Sequence, residues 1–178
     1  QGLKPRLNGV CLRVVLYCSV MVACRVCSEC ASRFTPVHSP LCTNCGIVFQ
    51  SNAADDHQCE DCIKTPKHFS KARAFGLYDQ SLMELIHGFK YRGKIQLSNA
   101  FNLMLLLTFL WYWDEGEVDI IIPVPLHKTR FQKRGFNQAY LSIKKWENYQ
   151  TGSIRLPPIE RSVLLRKRST EPQTGLGR

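Results

Sequence analysis

Three cysteine pairs, Cys27/Cys30, Cys42/Cys45 and Cys59/Cys62, constrain this chain more than any other feature, because each has two residues between its thiols. That spacing forms a turn that presents two thiolates to one tetrahedral zinc. A disulfide scaffold would favour irregular spacings and leave no long cysteine-free remainder. Here all nine cysteines fall in the first 62 of 178 residues, and the odd count fits full disulfide pairing poorly. The pattern therefore predicts structural zinc, and with it a reducing, cytoplasmic compartment. The favoured site joins Cys42/Cys45 to Cys59/Cys62, with thirteen residues between the pairs. Cys27/Cys30 would then take partners from Cys11, Cys18 and Cys24. The alternative joins Cys27/Cys30 to Cys42/Cys45. A closed four-thiolate site leaves no position for water, so it carries no catalysis, and so small a module is expected to fold only with its metal.

The chain reads as an α/β protein. Residues 1–24 are unassigned, 25–66 form a zinc-ribbon module, and 67–178 form a second domain. Ala72–Tyr78 and Val118–Val124 (VDIIIPV) have the composition of strands, and Ser162–Leu165 that of a third, shorter one. Leu82, Leu85, Ile86 and Phe89 recur at helical spacing behind Ser81 as N-cap, and Gly93 ends that helix. A second helix, about Leu97–Trp113, is apolar round most of its circumference and is expected to be well buried. Its Ala100–Trp113 stretch contains Asn102 and falls short of the ~20 residues of a bilayer span, so no membrane span is expected. Lys4, Arg6 and Arg13 ahead of Val14–Ala23 and Cys24 imitate a lipoprotein signal. Cys24, however, belongs to the knuckle cluster, and export is the lesser reading.

Charge separates the two halves. Residues 1–120 hold 12 Lys/Arg against 11 Asp/Glu, whereas residues 121–178 hold 12 against 3, so nearly all of the formal +10 lies in the last third. That imbalance calls for an anionic partner, a phosphorylated small molecule or a nucleic-acid backbone. The stretch Ile120–Ala139 (IIIPVPLHKTRFQKRGFNQA) locates it. A hydrophobic strand delivers Pro123 and Pro125 to its carboxyl end, where open α/β sheets bind ligands. A basic loop follows with His127, Lys128, Arg130, Lys133 and Arg134. Gly135 and Asn137 then open a helix whose free N–H groups favour anions.

At these residues the chain resembles the ComF (competence protein F) family. The likeness rests on PVPLHKTRFQKRGFNQA, the knuckles CSEC, CTNC and CEDC, Tyr78, and FKYRGK at Phe89–Lys94. It also rests on the spaced Arg166, Arg168, Thr170, Gln173 and Arg178, and covers about residues 25–178. The resemblance implies a zinc ribbon followed by a type I phosphoribosyltransferase-like (Rossmann-like) domain, with one or two structural Zn2+. It implies a pyrophosphate loop drawn from Pro125, His127, Lys128, Arg130, Lys133, Arg134 and Asn137, and a mobile loop drawn from Arg166, Arg168, Thr170 and Gln173. Phosphoribosyl pyrophosphate with Mg2+ would be the ligand, and DNA uptake or the use of imported DNA the setting, with other competence proteins as partners. The family's ribose-phosphate loop, an acidic pair before a Thr-Thr-Gly run, is expected beyond residue 178. The domain therefore reads as incomplete at its C-terminus and inactive as a transferase. The second function reading is a single-stranded-DNA-binding module in which Phe131 and Phe136 stack on bases between the cations.

Overall fold

The structure, a computed structural model, describes residues 6–7, 10–11, 29, 32–50, 55–148 and 155–170. Arg6–Leu7 (β1) and Val10–Cys11 (β2) form an antiparallel pair. Then come the helices Glu60–Lys64 (α1), Gln80–Tyr91 (α2), Ser98–Tyr112 (α3), Lys128–Arg134 (α4) and Gln138–Leu141 (α5), with 3-10 turns at Ile95–Leu97 and Lys144–Asn148. The described residues are thus mixed helical with few strands.

Helix α3 is the wedge around which the rest assembles. Ala100, Phe101 and Met104 on one side pack with Leu82, Leu85 and Phe89 of α2 and with Phe34, Leu97, Phe75 and Phe136. Leu105, Leu106 and Phe109 on another side meet a second cluster of Ile143, Trp146 and Leu156. Two cores need two apolar faces, which is why the helix lacks a polar side. Trp146 Nε1 donates to the Asn102 carbonyl at 3.2 Å and links the clusters. Ile95–Tyr112 is long and apolar enough to cross a membrane by length and composition. Met104 at its centre is fully buried, but only a third of the stretch is, so the helix is less buried than its composition predicts. Met104→Ala is expected to cost about 2–5 kcal/mol, lost transfer energy plus a cavity. Urea unfolding would measure it, and a cost under ~1 kcal/mol would mean that the two helices do not share this core.

Several local expectations are corrected. The cap of α2 is Asp79, whose Oδ1 accepts from Leu82 N at 2.9 Å, and Ser81 is instead buried in the first turn. Ala72–Tyr78 is extended but pairs only at the isolated bridge Pro36↔Gly76. Its N–H groups are divided between neighbours, Ala72 N going to Asn44 O at 2.8 Å and Leu77 N to Thr35 O at 2.8 Å. Among the described residues, Val118–Val124 pairs only at Ile121↔Ile159, in parallel. Pro123 and Pro125 have no N–H to extend the ladder, and Pro157 and Pro158 deny it donors on the other side. Ser162–Leu165 forms no strand and is exposed throughout. The expected basic loop at His127–Gly135 is largely the helix α4.

Candidate metal centre and cationic cleft

The turn Cys42–Cys45 and the start of α1 bring four cysteines together. The sulfurs of Cys42, Cys45, Cys59 and Cys62 all lie within 4.8 Å of one another. Zinc–sulfur bonds of ~2.3 Å at tetrahedral angles place ligand sulfurs roughly 3.8 Å apart. Cys45 Sγ and Cys59 Sγ are 3.7 Å apart, too far for a disulfide and right for two ligands of one ion. The turn is set by backbone bonds from Cys42 N to Ile47 O (2.8 Å) and from Gly46 N to Cys42 O (3.0 Å). Cys59 N donates to Cys42 Sγ at 3.3 Å, the kind of contact that steadies a thiolate.

The four thiols cannot all ionise without a cation. Burial works to raise Cys42, but the N–H groups of Cys59, Cys45 and Asn44 overcome it and hold that thiol at about 6. Burial, with the surrounding sulfurs, pushes Cys62 up to about 12, and burial also raises Cys45. One anion is stabilised at the expense of its neighbours, the arrangement a divalent ion resolves. These four residues fit a metal ion such as zinc. Cys27 and Cys30 lie outside the described residues, as do Cys18 and Cys24.

The second site is a cleft of about 1360 Å³. One wall is the face of α2 that carries Met83, His87, Lys90 and Tyr91, opposite its buried Leu82, Leu85 and Phe89. The other wall is α4. Arg130, Lys133 and Arg134 are three and four residues apart, so the helix puts all three on one face, into the cleft. Gly135 ends α4 in the left-handed conformation (φ 79°), which lets Phe136 turn back to pack on Phe89 with ring centroids 5.5 Å apart. Arg166, Ser169 and Thr170 close the third side.

Two sequence segments thus meet. Arg166 Nη2 donates to Thr170 Oγ1 at 2.6 Å, and Arg130 Nη2 donates to the Thr170 carbonyl. Arg134 donates to Gln138 Oε1 and lies over the Tyr91 ring, 5.2 Å from its centroid. Among the described residues, five cations, Lys90, Arg130, Lys133, Arg134 and Arg166, line the cleft, and no carboxylate does. At Lys90 burial lowers the pKa first, and the nearby Arg134 charge lowers it further. An anion between them would oppose the lowering that comes from the Arg134 charge.

Other residues singled out in the sequence lie elsewhere. His127 caps α4, Nδ1 accepting from Thr129 N at 3.4 Å, and Lys128 is exposed. Asn137 is a bracket: Nδ2 donates to Val124 O at 3.1 Å, and Oδ1 caps Ala139 N at 2.9 Å. The N–H groups expected to hold an anion at that helix start are therefore occupied by Asn137 itself. Pro125 and Arg168 do not line the cleft, and Gln173 is outside the described residues. No cleft role is assigned to Met83, His87, Lys90 and Tyr91 from the sequence: helical spacing puts them on one face, which looks like an ordinary solvated one until α4 is placed opposite.

No protein-family model and no solved structure matches the chain. Among curated proteins it is 29% identical over 123 residues to competence protein ComFC of Bacillus subtilis, covering 66% of this chain and 49% of that protein. It is 31% identical over 135 residues to DNA utilization protein YhgH of Shigella flexneri, covering 72% and 57%. It is 27% identical over 154 residues to competence protein F of Haemophilus influenzae, covering 85% and 63%. The chain thus spans about half to three fifths of the length of these relatives.

Proposed function

We propose that this chain is a ComF-type protein serving competence or the use of imported DNA, and that its cleft holds the diphosphate end of a phosphoribosyl compound. The likeness to competence and DNA-utilization proteins supports the setting. The ligand rests on one observation: among the described residues, five cations from three separate segments converge on the cleft and no carboxylate lines it. Such a field suits a compact, multiply charged anion, and guanidinium groups match phosphate geometry. The parallel bridge Ile121↔Ile159 is in keeping with a phosphoribosyltransferase-like α/β arrangement, which belongs to the proposal.

In this reading the protein positions the diphosphate and spreads its charge. Arg130 and Arg166, both tied to Thr170, fix the cleft's width, and Lys133 and Arg134 supply charge from α4. Phosphoribosyl pyrophosphate, carried with Mg2+, is the compound proposed. The four-cysteine centre holds zinc as a structural ion, and its reduced thiols belong in the cytoplasm.

A second reading keeps its own observation. Tyr78, Tyr91 and Phe131 are exposed aromatics beside these cations, the elements of a platform for single-stranded DNA. Phe136 drops out of that platform, since it packs on the α2–α3 core. Titration calorimetry separates the readings. Saturable one-to-one binding of pyrophosphate with a shallow salt dependence is expected. Binding of oligonucleotides alone, with a steep salt slope, would replace the first reading by the second.

A further inference from the structure

The metal centre and the cleft are joined by one extended segment, Ala72–Asp79. At its start, Ala72 N donates to Asn44 O at 2.8 Å, inside the turn between Cys42 and Cys45. The Arg73 guanidinium donates to the Thr43 carbonyl at 2.8 Å and to the Asn44 carbonyl at 3.4 Å, and lies 4.9 Å from the centroid of the Tyr112 ring at the end of α3. Gly46, just past the turn, is close enough that a Cβ there would sit 2.5 Å from Ala72 O. In the middle, Phe75 stands between Phe34 and Phe101, 6.2 and 6.1 Å away centroid to centroid. At the far end, Tyr78 lines the cleft and Asp79 caps α2, which bears Lys90 and Tyr91. The segment is held a second time through Phe34–Val37, where Val37 N donates to Phe75 O at 3.3 Å, and that strip runs on into Cys42.

We infer that zinc binding at the four cysteines and anion binding in the cleft are thermodynamically coupled, with Arg73 as the positioning residue that connects them. The inference rests on the diphosphate reading of the cleft. The ion fixes the Cys42–Cys45 turn and so aims the Thr43 and Asn44 carbonyls at Arg73. Without it those carbonyls lose their fixed direction, and Tyr78 and the cap of α2 lose one anchor of the segment that sets them. Coupling of this kind is reciprocal: whatever factor zinc adds to anion affinity, the anion must add to zinc affinity.

The test compares pyrophosphate binding to the full chain, zinc-loaded and chelator-stripped, by calorimetry at one pH and ionic strength. Far-UV circular dichroism reports that α2 and α3 persist. The loaded form is expected to bind roughly tenfold tighter, within the usual range of such couplings. A zinc titration with free metal fixed by a chelator buffer should show the same factor when pyrophosphate is present. Zinc-loaded Arg73→Ala and Arg73→Lys should keep their zinc and helix signal yet bind pyrophosphate like the stripped protein. Equal affinity of the loaded and stripped forms overturns the coupling. If stripping melts the helices, the loaded variants decide alone, and wild-type affinity in both overturns it. Pyrophosphate binding to neither form would instead remove the cleft reading.

Discussion

Replacing Cys59 with serine is expected to lower the zinc content by one ion per chain and to unfold residues 41–65 locally. The expectation follows from how little else holds that segment together. Leu41, Cys42 and Cys62 are buried there, whereas Ile47 and Ile63 are 57% and 64% exposed. With zinc bound as proposed, such a module would have the ion as its core, and binding free energies of roughly 10–16 kcal/mol, as in zinc-finger peptides, would become folding free energy. Cys59 does two jobs: its sulfur lies 3.7 Å from Cys45 Sγ, and its N–H supports Cys42 Sγ. Serine keeps the second and removes the first. Zinc analysis of purified protein, with amide exchange over residues 41–65, would measure both effects. Unchanged zinc content, or unchanged protection after chelation, would remove the metal from the account of this fold.

Arg134→Ala is expected to weaken pyrophosphate binding about 10–100-fold, the loss of one charge-assisted contact in a half-buried site. Arg134→Glu should weaken it further, because it replaces a cation beside Lys90 with a carboxylate. Arg134 touches Tyr91 and Gln138 and is no part of the core, so neither variant should shift the melting temperature by more than a few degrees. Lys128→Ala is the control. Lys128 is exposed and off the cleft, and its loss should change pyrophosphate affinity less than twofold. Equal losses for Lys128 and Arg134 would show a diffuse electrostatic surface in place of a site, the behaviour of a nucleic-acid binder.

Some of this was readable directly. Cys42, Cys45, Cys59 and Cys62 announce themselves because ligand spacing is a local property, and the favoured pairing is the one the sulfurs adopt. The α2 stripe and the apolar α3 were legible because their periodicities are strong. Helix α4 was not. KTRFQKR has no apolar stripe to give it a period, and its basic residues read equally well as a loop. The strands were over-read for a related reason: β-branched composition marks a segment that can pair, while pairing depends on the partner offered. Pro123, Pro125, Pro157 and Pro158 limit that pairing to a single bridge.

The amino-acid sequence alone determined the paired cysteines of the cluster, the concentration of positive charge after residue 120 and the two long helices, since each is set by neighbours within a few residues. Only the tertiary structure decided which cations share a cleft. Arg130 and Arg166 meet at Thr170, Lys90 comes to face Arg134, and His127, Lys128 and Asn137 are turned to capping or to solvent. Those outcomes depend on how α2, α4 and the Arg166–Thr170 segment pack, and convergence between residues so distant along a chain leaves no periodic mark in it.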